Sequence, residues 1–199
     1  MRLAVIGDVH ANLHALDAVL AEAARRGATS ILCLGDLVGY CAHPDAVCRR
    51  LREAGVDVVQ GNYDDAVGCE RDDCGCGACC GDLARLRAAS LAWSVAHTNV
   101  ETKAWLRALP PRRDLTVAGR RLAAFHGGPA ALNEEFGPGD LSRLDAILAD
   151  TGAGVLLLGH SHRPWSLRRP GGLVLNPGSV GKPLGTPHAC RSPTAPSTS

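Results

Sequence analysis

The chain has 199 residues, of which 46% are hydrophobic and 21% are charged. These are ordinary values for a globular protein, and the length is sufficient for one domain with a substantial core. The 21 Lys and Arg residues nearly balance the 20 Asp and Glu residues, which leaves a net charge of +1. This balance argues against a broad basic surface for nucleic acid or for an anionic membrane.

The first residues do not have the pattern of a targeting signal. The apolar run Leu3–Ile6 ends at Gly7 and is followed by the acidic Asp8. A signal peptide needs a longer apolar region and a small-residue cleavage site. No apolar run approaches the roughly 18 residues of a membrane span. The sequence therefore predicts a cytoplasmic protein without a membrane partner.

The first third of the chain alternates buried strands with amphipathic helices. Strands are predicted at 3–6, 31–34 and 56–60, and helices at 13–24 and 44–54. The order β-α-β-α-β is typical of parallel strands joined by crossover helices, and thus of the α/β class. A polar residue follows each strand, at the carboxyl edge where open α/β sheets bind their ligands.

The rest of the chain is predicted to continue in mixed α/β order. The predicted elements are helices at 83–97 and 99–109, a hairpin of strands 115–117 and 122–125, a helix at 141–148, a strand at 155–158, and a hairpin of strands 165–167 and 173–175. We expect a single domain over 1–190, with a Cys-rich loop or insertion at 67–81. The Ser/Thr/Pro-rich segment 191–199 is predicted to be a disordered tail.

Seven potential metal ligands follow the ends of predicted strands: Asp8, His10, Asp36, Asn62, His126, His160 and His162. Carboxylate, imidazole and amide donors together suit Mn, Fe, Zn or similar divalent ions. The set contains no cysteine, which argues against a structural thiolate zinc site. Each motif alone is also typical of turns or of core histidines, but the ordered set is far more specific.

The spacing within the set suggests how ions would be held. Residues two apart in an extended segment point to the same side, so Asp8 and His10 are expected to reach one metal, and His160-x-His162 repeats that geometry. A pair of metals needs a bridging group with two oxygens. Asp36, alone on its strand end, is the natural candidate for this bridge.

Five short blocks of the sequence resemble the signature blocks of calcineurin-like metallophosphoesterases: Gly7-Asp8-Val9-His10, Gly35-Asp36, Gly61-Asn62-Tyr63-Asp64, His126-Gly127 and Gly159-His160-Ser161-His162. The resemblance extends from Arg2 to about Pro183. It is strongest to the small prokaryotic phosphoesterase and phosphodiesterase branch, which shares the segments 36–40 and 176–181.

This resemblance implies a fold and a set of metal ligands. The fold is a β-sandwich flanked by helices, with two divalent ions at the carboxyl ends of its strands. By the resemblance, the first ion is held by Asp8, His10 and His162, the second by Asn62, His126 and His160, and Asp36 bridges them. Mn is the favoured metal, with Fe, Zn, Ni and Mg as the other expected ions.

The resemblance also implies an activity. Two cations ~3.5–4 Å apart would activate a bridging hydroxide to attack phosphorus. We therefore expect hydrolysis of a small phosphorylated substrate, either a phosphomonoester, a phosphodiester or a nucleotide-type compound. The alternative is a catalytically weak or inactive binding or regulatory protein, because some relatives keep the fold without catalysis.

Tyr63 is a departure from the family pattern at a catalytic position. Many relatives have His after the Asn, and that His can protonate the leaving oxygen, whereas this chain has Tyr63. A phenol can donate a hydrogen bond but is a poor proton donor near neutral pH. Either Tyr63 acts as a weaker catalytic acid on substrates with good leaving groups, or it only packs over the site.

Five of the nine cysteines lie in one short stretch: Cys69, Cys74, Cys76, Cys79 and Cys80. Their spacing does not closely match a zinc knuckle or ribbon. Three interpretations remain open, namely a structural metal site, a disulfide that acts as a redox latch, and free thiols in a loop. All three place the cluster close to the rim of the active site, because it follows the third block.

Overall fold

A computed structural model describes residues 2–76 and 82–184. The described residues form eight strands and six helices. In chain order these are β1 (Leu3–Ile6), α1 (Leu13–Arg25), β2 (Ser30–Cys33), α2 (Pro44–Glu53), β3 (Asp57–Val58), α3 (Asn62–Gly68), α4 (Asp82–His97), α5 (Val100–Arg107), β4 (Arg112–Val117), β5 (Arg120–Phe125), α6 (Leu141–Thr151), β6 (Val155–Leu157), β7 (Trp165–Arg169) and β8 (Gly172–Asn176).

The strands form two sheets. The first has the order β1-β2-β3 and is parallel, with Ile6 opposite Cys33 and Cys33 opposite Val58. The second has the order β4-β5-β6-β8-β7, with parallel pairs at its centre and an antiparallel hairpin at each edge. Parallel pairing of β1–β3 and of β5, β6 and β8 directs their carboxyl ends to one edge of each sheet.

Side chains alternate between the two faces of each strand, and those on the inner faces pack the two sheets against each other. Leu32 and Leu34 contact the second sheet through Leu122 and Leu157, in a cluster that lies between the sheets. Cys33, one residue away, belongs to the cluster on the opposite face of the first sheet. Residues two apart share a face of a strand. The predicted β-sandwich is therefore confirmed, with the first sheet apolar on both faces.

Helices cover the outer face of each sheet. On the first sheet, Leu16 of α1, Leu51 of α2 and Leu106 of α5 join one buried cluster. On the second, Leu144 and Leu148 of α6 pack against the strands. The resulting layers are helix, sheet, sheet and helix, as predicted for a sandwich flanked by helices.

Most of the predicted elements exist, but their ends differ. β3 has two residues instead of the five predicted at 56–60, and β4 begins at Arg112 instead of at 115. The helix α3 was not predicted, and it includes Val67 and Gly68, which the sequence assigned to the Cys-rich loop. The signal for α3 was weak because it is only seven residues long. Its start is fixed by the Asp64 carboxylate, which accepts a hydrogen bond from Gly61 N.

Two predictions fall wholly or partly on residues outside the described ranges. The tail at 191–199 lies outside them, as do Cys79 and Cys80 within the Cys-rich segment. Within 2–76 and 82–184, no helix combines the length and the apolar character needed to cross a lipid bilayer.

Candidate metal centre

The seven predicted ligands lie together where the strands of both sheets end. Asp8, His10 and His126 are fully buried, and Asp36 is 2% exposed. Six of the seven form two groups whose possible ligand atoms lie within 4.8 Å of one another. The seventh, Asn62, places its Oδ1 3.0 Å from His126 Nε2. The fold therefore brings together all the side chains that the sequence proposed.

Asp36 belongs to both groups. One group is Asp8, His10, Asp36 and His162, and the other is Asp36, His126 and His160. Asp36 Oδ2 lies 3.7 Å from His10 Nε2, whereas Oδ1 lies 3.5 Å from His126 Nε2. The two oxygens of one carboxylate therefore face different groups, which is the geometry that a bridging ligand requires.

Backbone carbonyls orient three of the imidazoles. The Nδ1 atoms of His10, His126 and His162 lie 3.0, 2.6 and 2.8 Å from the carbonyl oxygens of Val38, Leu34 and Lys182. A carbonyl oxygen can only accept, so each Nδ1 carries the proton and donates. Each Nε2 therefore presents its lone pair to the centre, as in metal-binding histidines.

These orientations bring hydrogen-bond acceptors face to face. His10 Nε2 and His162 Nε2 are 3.0 Å apart, and His126 Nε2 is 3.0 Å from Asn62 Oδ1. With all three Nδ1 atoms protonated, neither contact has a shared hydrogen when the imidazoles are neutral. Lone pairs at this distance repel one another unless a cation lies close by. The donor set thus fits bound metal ions.

The buried carboxylates also indicate that the centre binds cations. Both oxygens of Asp8 are buried without a hydrogen-bond partner among the described residues. Burial, together with the charges of Asp64 and Asp8, raises the pKa of Asp36 well above its usual value. Burial also acts to raise the pKa of Asp8, but His162 and the neighbouring imidazoles outweigh it and lower that pKa. Several buried carboxylates without enough donors are stabilised by cations.

Two of the candidate imidazoles resist protonation. Burial lowers the pKa of His10 to about 3, and burial together with the charge of His126 lowers that of His160 to about 4. Burial acts in the same direction on His162, but the Asp8 carboxylate, whose Oδ1 lies 3.3 Å from His162 Nε2, raises the pKa of His162. His10 and His160 are therefore neutral, and ready to bind a metal, at neutral pH.

The backbone at the centre is unusual. Five of the seven candidate ligands have positive φ, between 47° and 64°: Asp8, His10, Asp36, His160 and His162. The prediction that Asp8 and His10 lie in an extended segment is therefore wrong, because β1 ends at Ile6 and both residues are in the left-handed region. Backbone strain of this kind is concentrated at functional sites and is held in place by the surrounding structure.

Asp64 is a positioning residue that the sequence reasoning missed. Its carboxylate is fully buried and accepts hydrogen bonds from the backbone N atoms of Asp36, Leu37 and Gly61 at 2.8–2.9 Å. It thereby ties the second block to the third. Close approach also requires Gly61, because a Cβ there would lie 2.2 Å from the N and Oδ1 atoms of Asp36. Its place in the third block was the available signal.

The segment 176–182 supports the first group in a way that the sequence reasoning did not identify. Ser179 Oγ and Gly181 N both donate to the carbonyl of Asp8, at 2.8 and 2.9 Å. Lys182 then supplies the carbonyl that orients His162. Residues 176–181 are the stretch whose sequence resembles one branch of the family, and these contacts give the stretch a structural role.

Tyr63 lies in the wall of the site. Its ring contacts those of His10 and Tyr40 at centroid distances of 5.5 and 5.0 Å, and its backbone N donates to Asp36 Oδ1 at 2.8 Å. Burial and the neighbouring Tyr40 raise the pKa of Tyr63, so the phenol keeps its proton. The buried hydroxyl has no hydrogen-bond partner among the described residues.

A cavity of about 360 Å³ opens above the centre. Its lining includes candidate ligands such as Asp36 and His160, and further out Tyr40, Tyr63 and Lys182. The Lys182 ammonium lies 3.9 Å from the centroid of the Tyr40 ring. The volume is in the range of small-molecule sites, and the lysine adds a positive charge to the wall.

Two of the clustered cysteines reach the centre. Asn62 Nδ2 donates to the carbonyl of Cys74 at 2.9 Å and to Cys76 Sγ at 3.2 Å. Cys69, Cys74 and Cys76 are all unbonded thiols, and Cys69 is exposed. The predicted proximity to the rim of the site is thus confirmed for Cys76, which lines the cavity.

The arrangement of ligands on two stacked sheets defines a class of metal-binding hydrolase. The calcineurin-like phosphoesterase superfamily domain matches residues 1–192. An uncharacterised protein of Methanocaldococcus jannaschii is 29% identical, over 91% of this chain and 76% of that protein.

Solved structures agree with this relationship. A metallophosphoesterase from Sphaerobacter thermophilus is 26% identical with a TM-score of 0.70, covering 92% of this chain and 78% of that one. A hypothetical protein from Pyrococcus horikoshii has the same fold, with a TM-score of 0.76, 23% identity, and coverage of 90% and 77%. The chain belongs to the calcineurin-like phosphoesterase superfamily, a family of hydrolases that use divalent metals.

Proposed function

We propose that this chain hydrolyses small phosphate esters with the help of two divalent cations, with Mn²⁺ as the favoured ion. The position of Asp36 carries the proposal, because its two oxygens face two separate groups of ligands at 3.7 and 3.5 Å. In this assignment Asp8, His10 and His162 hold the first ion. Asn62, His126 and His160 hold the second ion.

The protein's main contribution is to fix its ligands in advance. When bound, a pair of divalent cations supplies a hydroxide nucleophile near neutral pH and neutralises charge on the phosphoryl oxygens. Carbonyls hold three imidazoles in the tautomer that binds metal. Asp64 holds the backbone of Asp36 in place, and Lys182 brings a positive charge to the cavity that an anionic substrate would enter.

Tyr63 is proposed to assist the leaving group by hydrogen bonding. Its hydroxyl keeps its proton and the residue lines the cavity, so we propose that the phenol donates to a substrate oxygen. A phenol with a raised pKa is a weak acid. We therefore expect the best substrates to have leaving groups that need little protonation, such as aryl phosphates.

A binding or regulatory protein without catalysis is the second candidate. The observation in its favour is Tyr63, which stands where many relatives have a histidine. Against it, every ligand position is filled and all seven side chains converge. Activity measurements distinguish the two functions.

The test is hydrolysis of p-nitrophenyl phosphate and bis-p-nitrophenyl phosphate by metal-stripped protein, with Mn²⁺ added back. We expect Mn²⁺-dependent turnover, and a loss of at least about 10³-fold in the Asp36→Asn variant, since both ions lose a ligand. Asp114→Asn is the matched control, because Asp114 is exposed on β4 and its carboxylate forms an ion pair with Arg112. The preferred compound identifies a monoesterase or a diesterase.

Absence of turnover with Mn²⁺, Fe²⁺, Zn²⁺, Ni²⁺ or Mg²⁺ in folded protein would contradict the enzymatic proposal. If such protein still binds two ions per chain, the binding or regulatory function would be favoured instead. Equal losses in Asp36→Asn and Asp114→Asn would show that the effect does not come from the metal centre.

A further inference from the structure

Two thiols lie beside Asn62, and the proposed reaction makes no use of them. Cys74 Sγ and Cys76 Sγ are 3.0 Å apart, closer than two sulfur atoms in ordinary van der Waals contact. The residue between them, Gly75, has a φ of 70°, which folds the chain so that both side chains point the same way. A disulfide bond measures about 2.05 Å, so a shift of about 1 Å would join the two sulfurs.

The same segment fixes the direction of the Asn62 amide. Its nitrogen donates to the Cys74 carbonyl and to Cys76 Sγ. With the nitrogen held there, the oxygen points to His126 and the second group of ligands. A flipped or displaced amide would present a donor, which cannot bind a cation.

The two thiols differ in their access to the cavity. Cys76 lines it and is partly exposed, whereas Cys74 is 5% exposed. A small oxidant that enters the cavity therefore reaches the pair at Cys76. Whichever sulfur is oxidised, the other lies 3.0 Å from it and can displace the oxygen.

We propose that Cys74 and Cys76 form a disulfide on reaction with a hydroperoxide, and that this modification releases the ion held by Asn62. The inference rests on the proposed function, because it regulates the same centre. It assigns the redox role of the Cys-rich segment to this pair of residues.

The hydroperoxide is the oxidant that forms the disulfide. One of the two sulfurs loses its proton and attacks one peroxide oxygen, the O–O bond breaks, and that sulfur becomes a sulfenic acid while the proton joins the leaving oxygen as water or an alcohol. The other sulfur then attacks the oxidised sulfur, the S–S bond forms, and the sulfenic oxygen leaves with the second thiol proton as water. Two thiols are oxidised by two electrons in total, and one hydroperoxide is reduced.

Bond formation would move the acceptor for the Asn62 amide. Residues that orient a metal ligand typically contribute 10–100-fold to metal affinity. We therefore expect the weaker of two bound ions to lose at least about tenfold in affinity after oxidation, with the other ion retained.

The experiment compares reduced and peroxide-treated full-length protein. Mn²⁺ binding is counted by electron paramagnetic resonance, and disulfides are mapped by mass spectrometry of non-reduced peptides. We expect two ions in the reduced protein, and one ion together with a Cys74–Cys76 disulfide after treatment. Dithiothreitol should restore the second ion.

Two variants complete the test. Cys76→Ser keeps an acceptor near Asn62 but cannot form the disulfide, so peroxide should no longer change its ion count. Cys69→Ser removes an exposed thiol and should respond like the wild type. The inference is overturned if two ions remain after oxidation, or if the mapped disulfide uses Cys79 or Cys80. Failure of reduced wild-type protein to bind any ion would instead overturn the proposed two-metal function.

Discussion

The two halves of the metal centre are held by different parts of the molecule. In the first, Asp8 is fully buried, and both imidazoles donate to carbonyls of neighbouring loops, His10 to Val38 and His162 to Lys182. In the second, only His126 is held in that way, by the carbonyl of Leu34. Asn62 depends instead on the cysteine segment 74–76.

His160, in the second half, is oriented differently from the imidazoles of the first half. Its Nδ1 lies 3.3 Å from His126 Nε2, and among the described residues no backbone carbonyl orients its ring. Main-chain carbonyls therefore orient ligands in both halves, but the second half also relies on the Cys76 thiol and on a contact between two imidazoles. We infer that the first ion binds more tightly and that the second is the one open to regulation.

Among substitutions outside the metal ligands themselves, the largest expected effect comes from a change that damages both halves. In Gly61→Ala, the new Cβ would lie 2.2 Å from the Asp36 backbone N and Oδ1. Asp36 must then move, and we expect activity to fall by at least about 100-fold and stability by about 1–3 kcal/mol. Phosphatase assays and urea unfolding measure the two effects. Gly139→Ala is the control, since within the described ranges no heavy atom beyond its chain neighbours lies within 4 Å of a Cβ at that position.

A substitution at Asn62 should have a smaller effect, and it should distinguish the two halves of the centre. Asn62→Ala removes one ligand of the second group and leaves the first group unchanged. We expect the affinity of the weaker Mn²⁺ ion to fall by at least about tenfold, and that of the tighter ion to change by less than about threefold. Isothermal titration calorimetry measures both. Loss of the tighter ion would show that the halves are not independent.

Acidic pH should act on the first half through His162. Burial opposes its protonation, but Asp8 raises its pKa above the ordinary value, so the metal-free centre carries a proton there below that pKa. The first ion must displace this proton, and its affinity should fall by up to about tenfold for each pH unit below that pKa. His10 and His160, with pKa values of about 3 and about 4, add no competition near neutrality.

Calorimetry in two buffers of different ionisation enthalpy tests whether ion binding releases a proton. We expect more protons to be released on ion binding at pH 6 than at pH 8. Proton release that is equal at both values, with constant affinity, would argue against the contact between His162 and Asp8 as the cause.

The smallest expected effect concerns Tyr63. Tyr63→Phe removes the hydroxyl and leaves the ring packing against His10 and Tyr40. We expect turnover of p-nitrophenyl phosphate to stay within about twofold, and turnover of phenyl phosphate to fall by several-fold, because its leaving group needs more assistance. An equal change for both compounds would support a packing role alone.

Much of the fold follows from local patterns in the sequence. Apolar runs that end in Gly and a polar residue located β1 and β2, and Asn99 correctly marked the start of α5, where its side chain accepts from Thr102 N. The short helix α3 was missed because its start depends on a contact between Asp64 and Gly61, which the sequence pattern does not distinguish from a turn.

The candidate ligands could be predicted because each one follows a strand end and the set has a family pattern. The contacts that hold these ligands in place could not be predicted. The carbonyls of Val38 and Leu34 have no side-chain signature, and the contact of Ser179 with Asp8 joins residues 171 positions apart. The left-handed backbone of Asp8 and His10 depends likewise on hydrogen bonds to the second block, such as His10 N to Asp36 O.

The most direct test of the two-metal account is a crystal structure of the Mn²⁺-loaded protein, with anomalous diffraction data collected at the Mn edge. The account predicts two anomalous peaks about 3.5–4 Å apart, one on each side of Asp36, with one carboxylate oxygen directed to each. A single peak, or two peaks that do not share Asp36, would contradict it.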